Sequence, residues 1–219
     1  MATIKPRQLP QVTLRRIVID ESPELILKKF HETASFPSPV WENVHAYTWH
    51  RPLIKPRDLA DYERTLKLIT ADGGENSFLR QHSKSPFRIY WIENELGETV
   101  GFAKLRQYLS IEALSTGAGH ISFGIFPKFK EMGYELPLLR ELVEAAKKWC
   151  YAFQPDAEGQ IIHVPVSRLY ITVLDRNRRD RKAVEEFGAE YISDQIITSR
   201  ATNQRVVLHC YWINLGTIA

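Results

Sequence analysis

GHISFGIFPKFKEMGY, residues 119–134, holds a strand, a break and a helix start in one short run. Ile121, Phe123 and Ile125 alternate with Ser122, Gly124 and Phe126, a period of two over β-favouring residues. Pro127 has no N–H to donate and ends that ladder. From Leu138 onward, Leu138, Leu139, Leu142, Val143, Ala145, Ala146, Trp149 and Cys150 fall on one side, opposite Arg140, Glu141, Glu144, Lys147 and Lys148. This is an amphipathic helix in which Pro137 is tolerable only in the first turn. The free N–H groups at such a helix start attract an anion, and Gly133 just ahead of it allows close approach to the backbone. A glycine before a helix is, taken alone, most often only a turn.

The whole segment resembles the acyl-CoA-binding core of the GNAT (Gcn5-related) N-acetyltransferases. It is closest to a bacterial branch of predicted acetyltransferases that reads G-H-I-G-Y-S-[VI]-R-P-x-x-R-x-x-G-Y. Gly119, His120, Ile121, Ile125, Pro127, Gly133 and Tyr134 match that pattern without a gap, and Lys130 stands in place of its arginine. The preceding LRQYLSIEALSTGAGH is similar to the same branch. Downstream, the strand candidate Arg168–Leu174 runs into Asp175-Arg176-Asn177, which looks like the family's D-x-N step, and the end of the chain at Tyr211-Trp212-Ile213 also resembles the family. The likeness covers residues 87–214.

That resemblance implies an α/β (α+β) fold: a mixed, mostly antiparallel sheet of about seven strands with about four helices, whose diverging strands form an acyl-CoA cleft. It implies acetyl-CoA as cosubstrate, with no metal, and transfer of an acetyl group to a primary amine. The expected cofactor contacts are Ser122, Phe123, Gly124, Ile125 and Phe126 on the strand, Lys130, Gly133 and Tyr134 in the phosphate loop, and Asn177 with Arg178 beyond the later strand. His120 is the candidate general base, since imidazole titrates near neutral pH, although a histidine on a strand is more often a packed structural residue. Trp41, Tyr47 and Trp49 lie where the family builds one wall of the acceptor pocket, and are expected to bind substrate or to pack the loop.

The chain departs from the family at Glu131 and Glu135, which replace small or neutral residues where a pyrophosphate is held, and at Val184, where many relatives place a tyrosine acid. Glu135 could instead cap its own helix. The alternative reading is therefore a catalytically inactive GNAT-fold module for ligand binding or interaction, with weakened CoA binding.

Composition agrees with this expectation without producing it. With 219 residues and 44% hydrophobic content, one domain spanning 1–219 is the simplest reading, residues 1–10 being an arm. The absence of a long apolar run or an apolar leader at the N-terminus places the expectation in the cytoplasm, away from membranes. Cys150 and Cys210 are too few and too far apart for a C-x-x-C motif and read as reduced and structural. A net charge of +3 does not itself argue for nucleic acid, and the paired aromatic strand motifs of an RNA binder are missing. Arg176, Arg178, Arg179, Arg181 and Lys182 form either a basic rim for the CoA phosphates or a solvated helix face. Pairing into a homodimer through the last strands stays open.

The remaining pattern predicts a strand over 11–19, then Ser22 and Pro23 as cap and N1 residue of a helix over 24–30, and a second helix over 56–70. Residues 77–86 read as a mobile connection. Strands follow over 87–93 and 99–108 around Asn94-Glu95-Leu96-Gly97, a short helix ends at Gly188, and strands over 189–199 and 205–214 meet in a hairpin at 201–204.

Overall fold

The computed structural model describes residues 9–16, 22–34, 56–64, 85–198 and 204–216. Its centre is a seven-stranded sheet in the spatial order β1-β2-β3-β4-β7-β9-β8. The strands are β1 (Val12–Arg16), β2 (Phe87–Asn94), β3 (Thr99–Arg106), β4 (Ile121–Ile125), β7 (Arg168–Leu174), β8 (Glu190–Thr198) and β9 (Arg205–Asn214). All neighbours are antiparallel except β4 and β7, which run parallel. A parallel pair needs a long crossover, and here it contains the helix α3 (Glu135–Trp149) that the periodicity predicted.

The amphipathic stripe of α3 is buried as expected, with Leu138, Leu139 and Leu142 at 0% exposure, while Arg140, Glu141, Glu144 and Lys148 lie in solvent. Each fully buried leucine of this kind contributes about 1.5–3 kcal/mol. The helix starts at Glu135, so Pro137 does fall in the first turn, where its missing N–H costs nothing. Arg88 of β2 stacks its guanidinium over the Trp149 ring at 4.3 Å and fixes the far end of α3 to the sheet. The helix α4 (Arg178–Glu186) packs beside α3 and against β7, and Gly188, at φ +91°, ends it as the C-terminal glycine.

At the other end of the chain, α1 (Pro23–Ala34) begins with Pro23 at N1 and Ser22 Oγ accepting the Leu25 N–H at 3.3 Å. Lys29 of α1 is fully buried and ties the helix to the sheet: its Nζ donates to Thr99 Oγ1 at 2.6 Å and pairs with Glu93 at 2.6 Å and Glu32 at 3.2 Å. Residues 59–64 are helical, and Tyr62 packs its ring on Phe30 at 5.6 Å. The rest of the predicted second helix and the connection at 77–84 lie outside the described residues, as does the tip of the 201–204 hairpin.

Two elements escaped the sequence reading. One is α2 (Ile111–Ser115), a short helix begun by Ser110, whose Oγ accepts the Ala113 N–H at 3.1 Å. The other is a separate two-stranded sheet of β5 (Tyr151–Pro155) and β6 (Ile161–Pro165). Prolines at the ends of both strands hide the alternation. The signal that would have found the hairpin is its turn, where Asp156 Oδ1 accepts the N–H groups of Glu158 and Gln160 and Gly159 takes φ +80°.

Candidate functional site

β4 and β7 touch at one point and then part. Their Cα register contains the single pair Ile121↔Ile171, whereas β4 holds five pairs with β3, and β7 holds seven with β9. The contact is made just before the gap: the His120 N–H donates to the Tyr170 carbonyl at 2.7 Å, and the Tyr170 N–H donates back to His120 Nδ1 at 2.9 Å. Gly119 permits this approach, because a Cβ there would stand 2.6 Å from the Tyr170 oxygen.

The direction of the free amides follows from strand alternation. Arg106 N–H donates to the His120 carbonyl and Phe126 N–H to the Val100 carbonyl, so the even-numbered positions of β4 turn their backbone groups to β3. Phe123 and Ile125 therefore turn theirs toward the opening on the β7 side. The resulting cleft is lined by Ser122 and Phe123 of β4, Thr172 and Leu174 of β7, and Asn177 and Asp180 beyond it. Asn177 stands at the N-cap of α4, and its side-chain amide donates to the carboxyl of Asp180 one turn on.

The open end of β4 leads to the loop ahead of α3. Pro127–Phe129 form one 3-10 turn, then Glu131 at φ +79° and Gly133 at φ +83° bend the chain back to the start of α3. A left-handed non-glycine residue is costly, about 1–2 kcal/mol, and Glu131 is held there while its carboxylate pairs with Arg179 of α4. Tyr134 at the N-cap gives α3 no side-chain cap; its ring packs edge-on against Phe129. The N-cap residue thus leaves the amides of this helix start unoccupied by its side chain. Glu135, the first residue of α3, is only 8% exposed and makes no hydrogen bond or ion pair among the described residues.

The sequence-derived candidates separate on this geometry. Ser122, Phe123 and Asn177 meet at the cleft. Ile125 continues the same edge, while Lys130 and Gly133 lie in the loop ahead of α3 and Arg178 is the first residue of α4, Lys130 and Arg178 being exposed. Gly124 has another reason to be glycine: a Cβ would come within 2.9 Å of the Phe102 ring. Phe126 and Tyr134 are buried packing residues. Trp41, Tyr47 and Trp49 lie outside the described residues.

His120 is 6% exposed, and its Nδ1 is engaged by the Tyr170 amide; burial, reinforced by the Arg106 charge, pushes its pKa down to about 4. Such a ring remains neutral and binds a proton poorly. Its observed task is to join β4 to β7, and the general-base expectation gains no support from its geometry. Both cysteines are free and buried, Cys150 with its thiol pushed up to about 12 by burial.

Much of the basic cluster is already paired. Arg179 meets Glu131, Arg181 meets Asp175 and Glu185, and Lys182 meets Glu186. Asp180, like Thr172 and Leu174 of β7, is a cleft residue that sequence reasoning missed. An acidic residue in the first turn of a helix is usually a partner of the helix dipole, which concealed its place in the cleft.

No protein-family model and no curated protein matches the sequence. Solved structures do resemble the fold. A spermidine N-acetyltransferase from Vibrio cholerae, solved with CoA and spermine, is 11% identical with a TM-score of 0.52, over 94% of this chain and 96% of that one. An acetyltransferase candidate from Acinetobacter baylyi ADP1 is 14% identical with a TM-score of 0.52, over 96% and 97% of the two chains. The microcin C7 self-immunity acetyltransferase MccE, solved with acetyl-CoA and AMP, is 11% identical with a TM-score of 0.52, over 93% and 92%. Together with the parallel, diverging β4 and β7 in an otherwise antiparallel sheet, these likenesses identify the architecture: the chain has the GNAT fold of N-acetyltransferases.

Proposed function

We propose that this protein is an N-acetyltransferase that moves the acetyl group of acetyl-CoA to a primary amine. The observation that carries the reading is the opening between β4 and β7, with the amides of Phe123 and Ile125 turned into it and Asn177 at its mouth. A pantetheine arm is an extended chain of amides, and a strand edge is its natural partner. Two structures of the same fold hold CoA or acetyl-CoA, which supports the choice of ligand. At the phosphate end the fit is poorer, because Glu135 and Asp180 place carboxylates beside the start of α3.

Bound acetyl-CoA supplies a thioester carbonyl for the amine to attack and a thiolate that leaves. The strand amides polarise that carbonyl, as donors fixed before the reaction begins. The amine must lose its proton to attack, and with His120 buried and engaged, solvent reaching the cleft takes that proton. Ser122, partly exposed on the cleft wall, is placed to order such a water.

Incubating the protein with acetyl-CoA and a panel of polyamines, amino-acid amides and short peptides, with free thiol as readout, tests this. Amine-dependent thiol release supports the reading. Donor binding without release for any amine favours the second reading, a non-catalytic GNAT-fold module, which draws on the engagement of Asn177 by Asp180 and on the unpaired carboxylate of Glu135.

A further inference from the structure

The cleft contains a carboxyl group with no counterpart in the donor-binding residues expected from the sequence. Asp180 lines the opening with Ser122, Thr172 and Asn177, and accepts the Asn177 side-chain amide. It stands between two ligand regions: Asn177, where the arm of the donor passes, and the start of α3, where the donor's phosphates are expected. Glu135 at that helix start is buried without an ion pair among the described residues, and its charge acts on Asp180. A phosphate placed there would bring a third negative charge into a partly buried space, at a cost that grows as water is excluded.

We infer that Asp180, backed by Glu135, is a specificity-determining residue for the donor: as a neutral acid it admits the phosphate end of the acyl carrier, and as a carboxylate it excludes it. The inference rests on the acetyl-CoA reading above and adds a condition for binding that the fold does not itself require.

Opposing influences meet at Asp180. Burial raises its pKa most, the Glu135 charge on α3 raises it further, and Lys130 from the loop and the Asn177 hydrogen bond oppose them, leaving it at about 7. Arg179, next along α4, is directed to Glu131. Thr172 on β7 donates its hydroxyl to the Gly117 carbonyl at 2.7 Å, so that donor is committed away from Asp180. The carboxyl therefore changes charge within the neutral range. Between pH 6 and pH 8 the fraction in the neutral, admitting form falls from about 0.9 to about 0.1, and apparent donor affinity falls with it, about tenfold.

The test is calorimetric titration of the full chain at pH 6, 7 and 8 with acetyl-CoA and with S-acetylpantetheine, which has the same arm and no phosphates. Asp180→Asn keeps the shape and an acceptor for Asn177 while removing the charge, and Glu135→Gln serves as the second variant. The wild type is expected to lose acetyl-CoA affinity about tenfold from pH 6 to pH 8 and to hold S-acetylpantetheine evenly. Asp180→Asn is expected to bind acetyl-CoA evenly across the range, and Glu135→Gln to shift the loss to lower pH without abolishing it, because the Glu135 charge raises the Asp180 pKa. Equal slopes in wild type and Asp180→Asn, or an equal slope for S-acetylpantetheine, would overturn the inference while leaving the acetyl-CoA reading intact. Failure of both donors to bind any variant at any pH would overturn the acetyl-CoA reading, and this inference with it.

Discussion

The Tyr170 N–H donates to His120 Nδ1 at 2.9 Å, at the point where β4 and β7 separate. The bond adds a side-chain link beside the His120 N–H to Tyr170 carbonyl bond, one residue before the pair Ile121↔Ile171. It follows that His120 matters first for stability. His120→Ala leaves a buried amide without its acceptor, and a loss of about 1–3 kcal/mol is expected in urea unfolding. Acetyl transfer by the folded fraction should keep its pH profile. A fall of more than about a hundredfold in kcat with unaltered stability would instead restore the ring to a catalytic role.

Asp180 and His120 pull the stability of the chain in opposite directions. The Asp180 carboxyl is raised in the fold to about 7, so its contribution is complete below the ordinary carboxylate range and is lost as pH rises through 7. The His120 pKa is lowered to about 4, so its contribution is complete above the usual histidine range and is lost as pH falls toward 4. Denaturant unfolding of wild type and Asp180→Asn from pH 5 to pH 8 separates the two, because only the Asp180 component differs between them. The difference is expected to grow in favour of the variant with rising pH; parallel curves would contradict it.

How far the sequence told this story depends on what each residue answers to. The alternation around Ile121–Ile125, the apolar stripe of α3 and the strand at Arg205–Asn214 record burial, which periodicity reports directly, and their places were legible. Ser122, Phe123 and Asn177 were legible through their setting in a recognisable strand-loop-helix order. His120 reads in the sequence both as a candidate base and as a packed strand residue, and the structure shows the hydrogen bond that its ring accepts in the sheet. Asp180 stayed hidden because its meaning depends on Glu135, 45 positions earlier in the chain, and such proximity leaves no local pattern.

The buried cation of α1 gives a prediction away from the cleft. Lys29 is fully buried with Glu93, Glu32 and Thr99 around its ammonium. Lys29→Ala strands those acidic partners at the edge of the core and is expected to cost about 3–5 kcal/mol, read by chemical denaturation. A loss below about 1 kcal/mol would show that solvent replaces the ammonium and that the pair has the small worth of a surface bridge.

Glu131 occupies a left-handed conformation that glycine adopts freely. Glu131→Gly removes backbone strain worth about 1–2 kcal/mol and a solvent-screened pair with Arg179, against the added chain freedom of glycine. A net gain of up to about 1 kcal/mol is expected from urea unfolding. A clear loss would mean that the Arg179 pair, and not the turn, holds the loop in shape.

The account stands on the opening between β4 and β7 as the place where the donor binds. Isothermal titration with acetyl-CoA at pH 6, on wild type, Asn177→Ala and Gly133→Glu, tests this most directly. Asn177 supplies a cleft amide and no cap bond, so its removal should weaken acetyl-CoA binding about tenfold, at a stability cost limited to its one hydrogen bond to Asp180, about 0.5–1.5 kcal/mol. Gly133→Glu places a charge and a strained φ in the loop ahead of α3, where the proposal puts the donor's phosphates, and should abolish binding. Binding that is lost in step across the variants is the predicted result; acetyl-CoA affinity equal in all three proteins would contradict the assignment of the cleft.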